Sequence, residues 1–511
     1  MGSLWLLAIC AFVAYRLSIV LYNLFIHPLK RFPGPPHYAV SWLPKFYRQV
    51  YRADYWRHAK TLHEKYGPVV RVGPNELSFS SAQALEDIYG VKTKGKPEFP
   101  KDAVFYDVRG TPLNDSMISA DKPTHRALRR QVGPAFSEKA LKAQEPIIQR
   151  YAGMLVSELR DRIQEDVDIV DWVTFATADV MADLSTGESL YCMEKGKMDP
   201  FIDMILHVSP FIGLLQLFNR LPLTKLLYKM VSSQKGLKTW LETVDIVAQK
   251  AEKREKMGND RPDFMTLIWA ENDDRESWTR DKIINFAQLL FFAGSETSAT
   301  TLSVVIFHLL TTPHAYKRLA DDLRSIERDE EITVSRLASM EYLTACIDEG
   351  MRMRPVVAAV IPRVGPPSGG MVDGCYIPEG VSAQRFRFHL QANQHGQTTV
   401  GVPQWATHHM DSNFSEPASY LPERWLKCST EDPRFTADQK GACQPFSKGP
   451  RNCLGKGFAY GMMRIFLAKL IWHFDLELKP EDRDWDVKPG FTSVVFWAKP
   501  KMHVKLTPVK R

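Results

Sequence analysis

Phe446-Ser447-Lys448-Gly449-Pro450-Arg451-Asn452-Cys453-Leu454-Gly455 is the stretch on which the reading of the chain turns. Gly449 and Gly455 bracket a cysteine, and glycine tolerates positive φ and lets a flat ligand approach the backbone closely. The residues after it, Phe458 to His473, have helical spacing. Cys453 is therefore expected at a helix N-terminus, where the dipole and free N–H groups favour a thiolate. A sulfur anion so placed is a nucleophile, a metal ligand or a haem ligand. The bland alternative for a lone cysteine is a small buried hydrophobe.

Four more stretches lie N-terminal to this loop. Glu349-Gly350-Met351-Arg352 places an acid and a base three residues apart, on one face of a helix. Alone it means little, but Leu421-Pro422-Glu423-Arg424-Trp425 follows it and supplies a second arginine. Ala293-Gly294-Ser295-Glu296-Thr297 lies in the middle of a long apolar helical pattern running from about Asp281 to Thr312. Thr279 is a plausible N-cap of that helix, and Pro313 closes it. Glycine inside a helix costs about 1 kcal/mol against alanine, so something should compensate. Thr297 can bond back to the Ala293 carbonyl. His125-Arg126-Ala127-Leu128-Arg129 is a basic cluster at helical spacing.

Together these stretches resemble the cytochrome P450 family. FxxGxRxCxG matches its haem-ligand loop at every fixed position, Glu349 and Arg352 match its ExxR, and Arg424 matches the arginine of its meander. The resemblance implies haem b, with Cys453 as the axial iron ligand, Gly449 and Gly455 shaping the loop, Phe446 packed against the sulfur and Arg451 meeting a propionate. Thiolate ligation favours O–O cleavage. It further implies that Glu349, Arg352 and Arg424 form a buried structural network, and that Glu296 and Thr297 relay protons during oxygen activation. His125 and Arg129 resemble a propionate-binding WxxxR with histidine in place of tryptophan; Arg129 suits a carboxylate geometrically.

The rest of the chain is compatible with this. Long helical patterns dominate from Tyr55, with short strand-like runs at Val69–Val72, Glu76–Phe79, several pieces after Pro355, and Thr492–Trp497. The fold class expected is mainly α with small β-sheets, the cytochrome P450 fold, preceded by a single transmembrane helix. Hydrophobic residues make up 44% and charged residues 24% of 511, which excludes a disordered or multi-span membrane protein. The net charge of +7 forms no continuous basic stripe, so nucleic acid is not an expected partner. Seven cysteines without paired spacing argue for a reducing compartment and against a disulfide framework, and the absence of CxxC argues against structural zinc.

Leu4 to Ile26 is almost wholly apolar and long enough to span a bilayer, although Arg16 interrupts it. Lys30, Arg31, Lys45, Arg48 and Arg52 follow, placing the bulk of the chain in the cytosol. A half-inserted helix is the alternative. Phe32-Pro33-Gly34-Pro35-Pro36 reads as a stiff, non-helical spacer. The domains expected are a membrane anchor over 1–32 and a catalytic domain over 33–511. The family resemblance points to the endoplasmic reticulum membrane and to an NADPH-cytochrome P450 reductase as electron donor. Arg126, Arg130, Lys448, Lys456 and Arg464 are expected to gather on the thiolate side as its basic docking face.

Val381 to Gln397 departs from the family. Removing it leaves PEGTTVGVPQWATHHMD, which reads as family sequence. Val381-Ser382 can be encoded by GTAAGT and Gln397 by CAG, the donor and acceptor signals of an intron retained in frame. A surface loop is the alternative.

Segments expected to face a hydrophobic substrate are Phe105–Ser119, Phe201–Phe218, Phe292 and Ala293, Val356–Ile361, and Phe491–Trp497. Phe201–Leu227 is apolar enough to touch the membrane. The N-terminus, the HxxxR variant and Pro403-Gln404-Trp405 resemble filamentous-fungal members of secondary metabolism, such as trichothecene hydroxylases and benzoate para-hydroxylases. The expected reaction is insertion of one atom of O2 into a terpenoid or polyketide-derived scaffold. A haem-thiolate isomerase or dehydratase, or a haem-binding chain without turnover, are the rivals.

Overall fold

The computed structural model describes residues 2–510 except 94, 108–115, 201–212, 215, 217–218, 220–248, 251, 255, 259–260, 271–279, 379–396 and 495. The expected N-cap Thr279, most of Phe201–Leu227 and nearly all of the 381–397 segment therefore lie outside the described residues.

The long apolar pattern forms one helix, Arg280–Thr311, about 48 Å long at 1.5 Å per residue. Its apolar residues are buried on opposite faces, Ile284 and Phe286 among them. Proline lacks the N–H that an interior turn needs, and Pro313 opens the next helix, Pro313–Arg324, capped by Thr312. Helix Ile169–Thr186 lies against the long helix, and every residue in it is buried except Asp171. At their contact a Cβ on Gly294 would stand 2.5 Å from the sulfur of Met181. Close approach of the two helices is what compensates for a glycine in mid-helix. Helices Glu138–Arg160, Glu341–Met353 and Lys456–His473 complete the same core.

A four-stranded sheet forms beside this helical body, in the order Val69–Gly73, Glu76–Phe79, Thr399–Gly401, Arg363–Val364. The first two strands are antiparallel; Thr399–Gly401 runs parallel to the second, with Glu76 opposite Thr399, and antiparallel to Arg363–Val364. The run expected as one strand over Thr492–Trp497 is a small hairpin, Thr492–Ser493 with Trp497–Ala498. The architecture is the mainly helical one with small sheets that the sequence implies.

At the N-terminus, helix Gly2–Leu21 continues to Ile26. Ser3–Ile26 is apolar enough to cross a membrane, and none of its most apolar window is buried. The only other described helix that passes the same test, Lys282–Thr311, has 78% of that window buried and is core. Of the basic residues after the span, Lys45 is buried and ion-paired to Glu76, while Arg48 pairs with Asp54. Pro36 begins a short helix, Pro36–Val40, so the stiff spacer ends one residue earlier than its composition suggests.

The strands on either side of the 381–397 segment are intact, Cys375–Ile377 before it and Thr399–Gly401 after. A Cβ on Gly365 would lie 3.1 Å from the Pro378 carbonyl oxygen and 3.7 Å from that of Thr398. The two flanks thus come within about 7 Å, a gap that Glu379 and Gly380 alone can span at about 3.3–3.6 Å per residue.

Candidate functional site

The cysteine loop is closed by its own backbone. Cys453 N–H donates to the Phe446 carbonyl at 2.8 Å and Asn452 N–H to that of Gly449 at 3.1 Å. Gly449 has φ +73°, and a Cβ there would stand 2.0 Å from the Tyr89 carbonyl oxygen, so no other residue fits. Gly455 has φ −81° and serves as the N-cap of helix Lys456–His473. The Phe446 ring lies 5.3 Å from that of Tyr460. Arg129 clamps the loop from outside, donating through Nη1 to the Asn452 carbonyl at 2.7 Å and through Nη2 to Asn452 Oδ1 at 2.6 Å.

Cys453 is solvent-accessible, yet burial is the main cause that raises its thiol pKa. Both hold together when the sulfur lines an enclosed space. The Gly455 amide, Arg129 and Lys456 pull the other way but do not win. The helix N-terminus alone therefore does not make the thiolate expected from sequence. A cation bound to the sulfur would do so.

A second accessible wall lies on the long helix. Ala293 is exposed and Thr297 half-buried, whereas Ser295, Glu296 and Ser298 between and beside them are buried. Thr297 Oγ1 donates to the Ala293 carbonyl at 2.6 Å, as the sequence suggests. Glu296 turns elsewhere. Its Oε1 accepts from Thr300 Oγ1 at 2.8 Å and from Lys499 Nζ, and its Oε2 has no partner. Lys499 also donates to Thr300 Oγ1 at 2.9 Å. Nothing local in the sequence marks Lys499, which arrives from the far end of the chain.

Between the loop and the helix carrying His125 lies a cavity of about 510 Å3 lined by His125, Arg129, Arg363 and Arg451. Burial, then Arg451, Lys101 and Arg129, push the His125 pKa down to about 4. Burial, then Arg451 and Arg363, push Lys101 down to about 7. Arg451 is lowered by burial and then by Arg363, and it donates to the Ala120 carbonyl at 3.0 Å. Cations that depress one another call for anions among them, and two propionates on one flat molecule fit. Arg363 and Lys101 escape a motif-based reading because neither belongs to a local pattern; the Lys101–Arg363 backbone bridge brings them together.

Below the loop the acid–arginine network is as the resemblance implies. Arg352 Nε and Nη2 each donate to Glu349 at 2.8 Å, Arg424 Nε at 3.1 Å, and Trp425 Nε1 at 2.8 Å. The side chains of Glu349, Arg352 and Arg424 are 0% exposed. Burial would raise the Glu349 pKa, but Arg352 and then Arg424 hold it below the usual carboxylate range. Asp438, unanticipated, is the second buried acid on Arg424.

Among the expected substrate-facing residues, Phe292 meets Phe496 edge-on at 4.8 Å. Phe491 and Trp497 are each 2% exposed. They pack around the Arg354 guanidinium at 4.6 and 5.2 Å, because that buried cation draws aromatic faces to it. On the basic face, Arg126, Arg130 and Lys456 are exposed, but Lys448 pairs with Glu86, and Arg464 turns in to Thr344.

Comparison with known proteins agrees with this geometry. The family model for cytochrome P450 matches residues 32–506. A cytochrome P450 monooxygenase of Hormonema carpetanum, efuB, is 36% identical over 98% of this chain and 96% of its own. Another, aclL of Aspergillus oryzae, is 36% identical over 98% and 97%. Averantin hydroxylase of Dothistroma septosporum is 33% identical over 98% and 90%. With matches spanning nearly the whole chain, it belongs to the cytochrome P450 family, the haem-thiolate oxidoreductases that incorporate oxygen from O2 into small molecules.

Proposed function

We propose that the chain hydroxylates a hydrophobic secondary metabolite of terpenoid or polyketide-derived skeleton, with electrons from NADPH delivered by a cytochrome P450 reductase. The observation that carries this reading is an enclosed, accessible Cys453 thiol in a clamped loop beside a pocket of mutually depressed cations. A relative named as a hydroxylase supports the reaction class. Bound haem iron supplies the activation of dioxygen.

The chain's own residues take the following parts. Cys453 Sγ would hold the haem iron, and Phe446 would shield that sulfur from water. Arg451, His125 and Arg129, joined by Arg363, would hold the carboxylates of the haem. Arg129 spends both Nη groups on Asn452, so it supports the loop as well as the charge. Thr297 keeps its hydroxyl proton on the Ala293 carbonyl until a better acceptor enters the cavity. Glu296, held by Lys499 and Thr300, would relay the replacement proton: its free Oε2 takes one up from water and passes it to the Thr297 hydroxyl as that hydroxyl gives up its own. Glu349, Arg352 and Arg424 carry no chemistry and hold the loop.

Residues 1–32 anchor the catalytic domain, 33–511, to the endoplasmic reticulum on its cytosolic side. The exposed apolar helix and the basic Lys30 and Arg31 support this. Arg126, Arg130 and Lys456 offer an acidic reductase a docking face sensitive to ionic strength. The functional form lacks 381–397.

The test is incubation of the chain lacking 381–397, with its N-terminal helix, in membranes with purified reductase, NADPH and candidate pathway intermediates under isotopically labelled dioxygen. A product carrying one labelled oxygen, formed only with NADPH, is expected. Product without NADPH would instead point to an isomerase or dehydratase.

A further inference from the structure

A second cavity, of about 60 Å3, lies at the edge of the four-stranded sheet. One wall is apolar and comes from three segments expected to face substrate: Phe105, Val360 and Val494. Pro362 also lines it, and the next residue, Arg363, lines the cationic pocket. Adjacent residues of the chain therefore line the small cavity and the cationic pocket.

Its other wall is polar and fully enclosed. Glu76, on strand Glu76–Phe79, is 2% exposed, and its Oε1 accepts from Lys45 Nζ at 2.6 Å. Its Oε2 has no hydrogen-bond partner. The Tyr55 hydroxyl, also 2% exposed, has none either. Leaving a buried acceptor and a buried donor unmet is costly, and native proteins rarely do so without reason. Neither group belongs to the haem loop, the long helix or the buried network.

The electrostatics select what fits. Lys45 already balances Glu76, so a cation entering the cavity would leave an uncompensated positive charge, and an anion would be repelled by the free carboxylate oxygen. A neutral group that both donates and accepts satisfies the pair. The space open to the centres of water-sized groups is small, about 60 Å3, and admits a compact polar group. A hydroxyl meets both limits.

We propose that this cavity is a terminal subsite for substrate, in which a hydroxyl donates to Glu76 Oε2 and accepts from Tyr55 Oη while its apolar skeleton lies along Phe105, Val360 and Val494. The substrate class is then a hydrophobic molecule already bearing a hydroxyl remote from the carbon to be oxidised. A preceding hydroxylation or carbonyl reduction must supply it. The inference rests on the cavity being that of a substrate-oxidising haem enzyme, as proposed above.

The test uses the full haem-loaded chain and a homologous series of phenylalkanes, each compared with the same chain ending in a hydroxyl. Binding is read by calorimetry, which does not depend on turnover. At the chain length that reaches the subsite, the hydroxyl form is expected to bind about tenfold to a hundredfold more tightly. Tyr55→Phe, which removes one oxygen, should cut that preference by about tenfold and leave affinity for the plain hydrocarbons unchanged. Lys45→Met with Glu76→Leu, an apolar exchange of the whole pair that folds tolerate, should abolish it. Equal ratios in wild type and both variants at every length would overturn the subsite. Should the double variant fail to fold, Tyr55→Phe decides alone. A retained hydroxyl preference with no NADPH-dependent product would sink the oxygenase reading and leave the subsite standing.

Discussion

Arg129 holds Asn452 by two hydrogen bonds, 2.7 Å to its carbonyl and 2.6 Å to its side-chain oxygen, and Asn452 is the residue before Cys453. The arginine therefore fixes the sulfur's position from a helix more than three hundred residues away in sequence. Arg129→Lys keeps the charge and loses the fork, so the loop should weaken by about 1–2 kcal/mol. The expected result is faster haem loss and partial conversion to the inactive, non-thiolate carbon monoxide spectrum. Asn452→Ala should give the same phenotype. Haem loss at the wild-type rate in both would show that the clamp is idle.

Removing one partner from the buried network should be more severe. Glu349→Gln leaves Arg352 and Arg424 facing a neutral group with no solvent, at a cost of about 3–5 kcal/mol. Chemical unfolding of the holoprotein should show that loss, or the variant should fail to retain haem. A change of under about 1 kcal/mol would contradict the role assigned to the network.

Thr297→Ala removes the hydroxyl but no buried ion pair. Haem binding and the carbon monoxide spectrum should be unchanged, while product formed per NADPH consumed falls about tenfold or more. Unchanged coupling would remove Thr297 from the mechanism. Glu296→Gln is a harder variant to interpret, because it also leaves Lys499 without its carboxylate, and stability must be measured beside activity.

Lys101 makes the site pH-dependent. Its pKa lies at about 7 in the fold against an ordinary 10.5, through burial and then Arg451 and Arg363. Between those values the unfolded chain holds a proton that the folded chain has released. Stability of the haem-free protein should therefore rise with pH across that window. Carboxylates docking on Arg451 and Arg363 would offset the part of the shift those two cations cause, so haem binding should take up a proton and weaken as pH rises from 7 to 10. Lys101→Met should flatten both curves. Haem affinity independent of pH in the wild type would contradict the placement of carboxylates there.

Deleting 381–397 should leave a folded, haem-binding protein, since Pro378 and Thr398 stand close enough for Glu379-Gly380 to join them. Spectra and unfolding midpoints of the shortened chain are expected to equal or exceed those of the full one. Transcripts that uniformly retain the segment would end the intron account.

What the sequence made legible was local. The cysteine loop, the Glu349–Arg352 pair and the Thr297–Ala293 bond are each set within a few residues, and they stand where the motifs implied. Lys499, Asp438, Arg363 and the Tyr55–Glu76 pair were not legible, because each acquires meaning only from a strand or loop far away in the chain. Gly294 was read correctly as needing compensation, but the compensating atom, the Met181 sulfur, sits on another helix. The packing of Phe491 and Trp497 on Arg354 was not legible either, because aromatic composition does not reveal a buried arginine between them. Motif spacing likewise does not tell Gly449, at φ +73°, from Gly455, at φ −81°.

The central claim is that Cys453 supplies the anion that holds the iron. The direct measurement is the absorbance of the reduced, carbon monoxide-bound form of the purified intact chain, beside Cys453→Ala. The account predicts the thiolate-ligated band in the intact chain and its complete loss in the variant. A band characteristic of nitrogen ligation in the intact chain, or a thiolate band that survives in Cys453→Ala, would contradict it.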